Sequence, residues 1–377
     1  MDPIKVLIVS SVVPNAVGSG GELALHRYLT SNEGIESKVV SWERFPFRLK
    51  LVGKLREVGF PFVSRSWECL FPVLPPGKLV DELIVSFRPD VLLTVAHGWW
   101  HISARKAARK FKLPLVSLFQ DWWPDFPEIP AAFRSRVERQ FRRTYLESEV
   151  AICVSDPMRR ELGERPNSVV IYPVPSFARS ECLRENSKLP LRLVYFGNLS
   201  EYGPLIEQAL RSLTESQNIR LEVFGARPRW ASGAADYFRS RGLYHPFIPP
   251  NQLLVLLQSY EAVLVVMSFD AAHRRRMITS FPSKLTAAVQ LGVPIVIWGP
   301  EYCSAVQWAR QGNRALCVVE PNPSALRQAL DELAASPSEQ ERLTKGVRDV
   351  AAGEFNCERI QTQFMGALQR AISSRDL

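Results

Sequence analysis

The chain has 377 residues, 46% hydrophobic and 23% charged, with 47 Lys and Arg against 38 Asp and Glu for a net charge of +9. That length exceeds one ordinary core and suits two domains of roughly 150 to 200 residues each. The composition excludes a disordered or low-complexity chain, and the positive balance implies an anionic partner: nucleic acid, a phosphorylated substrate or an acidic lipid surface. The start, MDPIKVLIVSSVV, is too short an apolar run to span a membrane and has no small-residue cleavage site, so a cytoplasmic protein is expected. Residues 5–11 (KVLIVSS) read as a strand, followed by a glycine-containing loop from Pro14 to Gly21 and the helical spacing of ELALHRYLT. Residues 44–61, mixing basic, apolar and aromatic side chains, fit an amphipathic helix or a membrane-surface patch.

The alternation then repeats. DVLLTVA (90–96) precedes SARKAARKF, LPLVSLF (113–119) precedes a Trp- and Pro-rich loop, and VAICVS (150–155) runs into DPMRREL, where Asp156 is expected to cap the helix. A Pro-, Ser- and charge-rich stretch from Tyr172 to Leu189 is expected to link this series to a second one. The second comprises LRLVYFG (191–197), a helix from about Pro204 to Leu213, IRLEVFG (219–225), NQLLVLLQSY, EAVLVVMS (261–268), SKLTAAVQL (283–291) ended by Gly292, VPIVIWG (293–299), ALCVVEP and SALRQALDELAAS. Short apolar strands alternating with helices predict parallel sheets, and so an α/β protein of two doubly wound domains. The six cysteines lack a C-x-x-C pair and the five histidines form no H-E-x-x-H cluster, which argues against disulfides and a structural zinc.

Taken in order, SSVVPNAVGSGGE, DVLLTVAHGWW, LPLVSLFQDWWPD, AICVSDPMRREL, VVIYPVPS, LRLVYFGNLSEYG, LEVFGARP and SFPSKLTAAVQLGVPIVIWGPE resemble retaining family 4 of the GT-B glycosyltransferases over nearly the whole chain. The resemblance implies two Rossmann-like domains facing a central cleft. Residues 1–178 would bind the acceptor, 179–355 the nucleotide-sugar donor, and the helix in 356–377 would cross back onto the first domain. It implies transfer from a nucleotide diphosphate-sugar, as co-substrate and without other cofactor or metal, to a carbohydrate, lipid-linked or small-molecule acceptor, with retention of configuration.

Donor contacts are then expected from Gly20, Gly21, Gly197, Asn198, Gly225, Phe247, Ile248, Arg276, Ser283, Lys284 and Glu301. Glycines let backbone approach a ligand, Ser283 and Lys284 open a helix whose N–H groups suit a diphosphate, and Arg binds phosphate bidentately. Each has an ordinary alternative in turns, caps or exposed loops. Two departures stand out: the family's paired glutamates are replaced by Thr279 and Ala287, and its basic pair by Asn198 and Tyr202. The run Arg274, Arg275, Arg276 offers replacement charge, with Arg227 and Arg229 further candidates. In the first domain, Gln120 stands where many relatives have a histidine, so acid–base work would move to Asp121 or His97, with Lys284 assisting departure of the diphosphate. Trp99, Trp100, Trp122 and Trp123 form either core or a stacking platform for the acceptor.

The rivals are a non-catalytic GT-B protein binding a glycan or partner, and a nucleotide-sugar epimerase. Nucleic-acid binding has no motif behind it. Peripheral contact with an anionic membrane, at its inner face, would suit the net charge.

Overall fold

In the computed structural model, which describes residues 2–16, 18, 20–30, 34–40, 61–176 and 189–374, the chain divides into two compact units, Met1–Tyr172 with Gln361–Leu377, and Pro173–Ile360. The apolar runs become strands because β-branched and aromatic side chains pack on both faces of a covered parallel sheet. Val91–Val95, Leu115–Phe119 and Ala262–Val266 are buried at every position.

The first sheet comprises β1 (Ile4–Ile8), β2 (Ile35–Val39), β3 (Val91–Val95), β4 (Leu115–Phe119), β5 (Val150–Cys153) and β6 (Ser168–Val170), in spatial order β2-β1-β3-β4-β5-β6. The second comprises β7 (Leu191–Phe196), β8 (Ile219–Phe224), β9 (Tyr244–His245), β10 (Ala262–Val266), β11 (Ile295–Trp298) and β12 (Leu316–Val318), in order β12-β11-β10-β7-β8-β9. Every pairing is parallel. Each order reverses once, between β1 and β3 in the first sheet and between β7 and β10 in the second. In open α/β sheets, ligands bind at the carboxyl ends of the strands beside such a reversal.

In the second unit, helices Gly203–Leu213 and Pro323–Ala335 bury Ile206, Leu210, Leu326 and Leu330 against sheet residues Leu193, Leu221 and Val296. In the first, Val80, Leu83 and Ile84 of helix Gly77–Phe87 meet Leu7, Leu92 and Trp100. The last helix, Cys357–Ser373, brings Phe364 onto Tyr28 with ring centroids 4.7 Å apart.

The structure corrects the expected cap at Asp156. Ser155 is the capping residue, its Oγ accepting from Met158 N at 3.1 Å, and Asp156 stands one position inside the helix, 3.5 Å from Arg159. Apart from Pro61, the basic and aromatic segment 44–61 lies outside the described residues, as does 177–188 of the expected linker. Among the described residues no helix is long and apolar enough to cross a membrane.

Candidate active site

The order reversal of the second sheet carries a charged cluster. β7 is followed by Gly197, whose φ of +123° is a conformation that glycine adopts far more readily than other residues. A methyl group on Gly197 would overlap the Lys284 stem and lie 2.8 Å from its Nζ, so the missing side chain is what admits the lysine. Gly225, at the end of β8, is similarly required: a Cβ there would lie 2.5 Å from the Gly197 carbonyl oxygen.

Lys284 stands in the first turn of helix Ser283–Val289 and donates from Nζ to Tyr195 Oη at 2.7 Å; Tyr195 in turn donates to the Asn198 carbonyl at 2.7 Å. Its ammonium also lies 4.5 Å from the Tyr195 ring centre and 5.3 Å from that of Tyr202. Burial pulls the Lys284 pKa down to about 7, against the upward pull of the Glu201 carboxylate, and burial raises that of Tyr195 far above its usual range. Near neutrality Lys284 is therefore divided between its charged and neutral forms, and an anion placed beside it would draw it to the charged one.

Arg276 is buried, with one guanidinium nitrogen 2.9 and 3.1 Å from the two Glu201 oxygens. The three-arginine run is a short helix, Arg274–Thr279, rather than an exposed loop: Arg276 turns inward, while Arg274 stacks 4.0 Å from the Tyr302 ring centre. Thr279 is fully buried, its hydroxyl donating to Arg275 O at 2.8 Å, and Ala287 is likewise in the core. The carboxylate nearest Lys284 and Arg276 is thus Glu201, which belongs to the loop after β7 and not to the helix.

The remaining expected donor residues divide. Asn198 is exposed, and its Oδ1 already accepts from Ser200 N and Oγ, each at 2.7 Å. Ser283 opens the helix beside Lys284, its carbonyl taking the Thr286 hydroxyl at 2.9 Å. Phe247 is 57% exposed with Ile248 partly buried beside it, next to the ring pair Phe224 and His245 stacked at 4.4 Å. Glu301 is exposed and held by Arg310 at 2.5 Å.

In the first unit the loops after β1, β3 and β4 converge. Gln120 Nε2 donates to the Gly21 carbonyl at 3.4 Å, and a Cβ on Gly21 would collide with Gln120 Oε1, so this glycine makes room for the glutamine. Gly20 has φ of +48° with open space about its Cα, and Gly98, at φ of +68°, crosses Ser11 Oγ closely enough that a Cβ would lie 2.6 Å from it. His97 is partly buried, edge-on to Phe126 at 5.0 Å, and Asp121 is partly buried just beyond β4.

A tryptophan stacking platform is not formed. Trp99, Trp100, Trp122 and Trp123 are 8%, 1%, 0% and 5% exposed, and none has an open face to offer a sugar. Trp99 and Trp123 meet edge-to-face at 5.0 Å, Trp100 Nε1 donates to Val73 O at 3.1 Å, and the Arg142 guanidinium covers Trp122 at 5.0 Å. Each ring's large area is better removed from water by the core than left at a loop.

Tyr195, Glu201 and Tyr202 were not foreseen as site residues. Tyr195 reads as one more apolar strand residue, and only its hydroxyl at the strand's carboxyl end marks it. Tyr202 replaces an expected base, yet its ring faces the ammonium of Lys284.

Two six-stranded parallel sheets with flanking helices match the two Rossmann-like domains of the GT-B fold. Residues 23–174, about two fifths of the chain, match the model of Glycosyltransferase Family 4, so this segment is similar to that family. A curated relative, the UDP-N-acetylglucosamine--N-acetylmuramyl-(pentapeptide) pyrophosphoryl-undecaprenol N-acetylglucosamine transferase of Clostridium botulinum, is 25% identical over 155 residues. The match takes in 40% of this chain and only 41% of that protein. Among solved structures, sucrose-phosphate synthase from Thermosynechococcus elongatus superposes with a TM-score of 0.67 at 14% identity, covering 99% of each chain. HepE of Anabaena, in complex with UDP and glucose, gives 0.63 at 14% identity over 97% of this chain and 99% of its own.

Proposed function

We propose that the protein transfers a sugar from a nucleotide diphosphate-sugar to an acceptor held by its first domain, with retention of configuration and without a metal. The observation that carries this reading is the Lys284 ammonium held over Gly197 at the order reversal of the second sheet, where a diphosphate would find a cation of adjustable charge. In the reaction the bond from the sugar's anomeric carbon to the diphosphate oxygen breaks, and a bond from the same carbon to the acceptor oxygen forms on the same face. The acceptor's proton passes to a phosphate oxygen of the leaving group. Negative charge grows on the diphosphate, so Lys284, with Ser283 beside it, stabilises departure electrostatically. Arg276 is engaged by Glu201 and acts by holding the β7 loop against the arginine helix, reaching phosphate only if that pair opens. His97, Gln120 and Asp121 are the first domain's candidates for orienting the acceptor hydroxyl.

UDP is the first base to test, because the HepE structure holds it, and a lipid-linked pyrophosphoryl sugar is an acceptor to include, because the clostridial relative is named for one. A thermal-shift panel of UDP, GDP, ADP, CDP and dTDP, each with its common sugars, should raise the melting temperature selectively with one base, since a ligand of the folded state stabilises it. Incubating that donor with and without acceptor, followed by product analysis, then separates transfer from epimerisation. A second reading, a binding protein without transferase activity, is favoured by one feature: Thr279 and Ala287 put no carboxylate at the helix where the family's glutamates would stand. No stabilisation by any nucleotide would favour that reading over the first.

A further inference from the structure

The first unit carries a cavity of about 510 Å³ lined chiefly by helices His101–Phe111 and Arg134–Glu147. Six cationic side chains line it, Arg105, Lys106, Arg109, Arg136, Arg139 and Arg143, against a single carboxylate, Glu147. Glu147 is shared by three of them: Arg109 at 2.9 Å, Arg143 at 2.5 Å and Arg105 at 3.5 Å. Among the described residues, Lys106, Arg136 and Arg139 have no carboxylate partner, so the cavity holds a large excess of positive charge. Like charges gathered in one groove repel, and such an arrangement persists most easily where an anion neutralises it.

A second observation is independent of the charge count. Arg105 is 6% exposed; its Nη2 donates to Gln140 Oε1 at 2.7 Å and its Nη1 reaches Glu147 only as an ion pair at 3.5 Å, while its Nε has no hydrogen-bond acceptor among the described residues. A buried guanidinium donor left without an acceptor carries an uncompensated desolvation cost. An anion with several oxygens removes that cost. Phosphate suits this geometry best, since its oxygens accept paired guanidinium N–H bonds in several directions.

We propose that this groove is a binding site for a phosphate-bearing anion, separate from the donor site in the second domain. The phosphate has two possible sources, a soluble oligophosphate or the headgroup of an anionic lipid. Helix Pro61–Leu70 leads into the cavity at Pro72, and Trp67, Leu70 and Phe71 at its end are 52%, 44% and 58% exposed, with Arg136 Nη2 3.5 Å from Leu70 O. An exposed aromatic ridge beside a basic cavity makes the lipid arm of the test necessary.

The test uses the full chain, inorganic pyrophosphate by calorimetry, and sedimentation with phosphatidylglycerol or phosphatidylcholine vesicles. Three proteins are compared: the wild type, a triple variant K106A/R136A/R139A, and an equally charged control, R239A/R241A/K345A, altered on exposed residues of the second domain. The groove variant should lose at least tenfold in affinity for pyrophosphate, and the control should not. Addition of pyrophosphate should also shift the ¹⁵N resonance of Arg105 Nε. K284M should leave this binding in place, which separates it from occupancy of the donor site. Binding of phosphatidylglycerol vesicles without pyrophosphate binding, again lost in the groove variant, assigns the site to a lipid headgroup. If neither probe binds, or if the groove variant and the control bind alike, the proposal is overturned. Nucleotide binding at Lys284 would be untouched by that result.

Discussion

Replacing Lys284 by Met tests whether the lysine is held against its charge, and the size of the effect follows from its surroundings. A pKa lowered from 10.5 to about 7 means that the ammonium is disfavoured in the folded protein by up to about 5 kcal/mol, at about 1.4 kcal/mol per pKa unit. Between pH 7 and 10.5 the unfolded chain holds a proton on this lysine that the folded chain has released. Wild-type stability therefore gains about 1.4 kcal/mol per pH unit from this residue across that window, and below pH 7 the full penalty is present. Methionine keeps most of the stem's packing and costs Tyr195 Oη one donor, about 1 kcal/mol, while Tyr195 keeps its bond to Asn198 O. K284M should thus be more stable than the wild type by roughly 3–4 kcal/mol at pH 6, with the advantage shrinking by about 1.4 kcal/mol per unit above pH 7. Guanidinium denaturation of both proteins at pH 6, 8 and 9 measures it. An advantage that stays constant from pH 6 to 9, or a destabilised variant at pH 6, would refute the reasoning, because Lys284 would then titrate as an ordinary exposed lysine.

Three other substitutions probe the same framework. G197A must adopt φ of +123° with a methyl group against the Lys284 stem, so strain of about 1–3 kcal/mol and loss of nucleotide binding should appear together in denaturation and calorimetry. E201Q removes the carboxylate that raises the Lys284 pKa and neutralises Arg276; the Lys284 pKa read by ¹⁵N NMR should fall below its wild-type value, with stability lower by about 3 kcal/mol. His101 is fully buried with Nδ1 2.6 Å from Thr144 Oγ1, and burial, helped by Arg105 and His97, lowers its pKa to about 3. The unfolded chain protonates this histidine first as pH falls below 6.5, so wild-type stability should drop by about 1.4 kcal/mol per unit towards pH 3; H101Q should lose part of that slope in acid denaturation.

Much of the fold was legible because its central strands are apolar throughout. DVLLTVA, LPLVSLF, IRLEVFG and EAVLVVMS all appear as strands within two residues of the expected bounds. Two edge strands were not visible, whereas the apolar edge strand β12 was read in ALCVVEP: β2 is IESKV, with three exposed polar residues in the middle, and β9 has two residues. Helix Arg134–Glu147 escaped notice because its sequence, RSRVERQFRRTYLE, is dominated by charge and buries only Val137, Phe141, Thr144 and Tyr145. At the site, Gly197 and Lys284 could be picked out separately, but their contact across 87 positions depends on β7 and β10 being neighbours, which no local pattern encodes. The tryptophans show the opposite failure. Their position in strand-end loops suggests exposure, whereas their size favours burial, and burial decides.

The central claim is that Lys284 receives a nucleotide diphosphate, and proton uptake on binding tests it most directly. UDP, or whichever nucleotide stabilises the protein, should be titrated by calorimetry at pH 8 in two buffers of different ionisation enthalpy. With the free lysine at a pKa of about 7 and the diphosphate raising it towards 10, binding should take up close to one proton (about 0.9) in the wild type and none in K284M, which should also bind at least tenfold more weakly. Binding with no proton uptake, or equal affinity in wild type and K284M, would contradict the account.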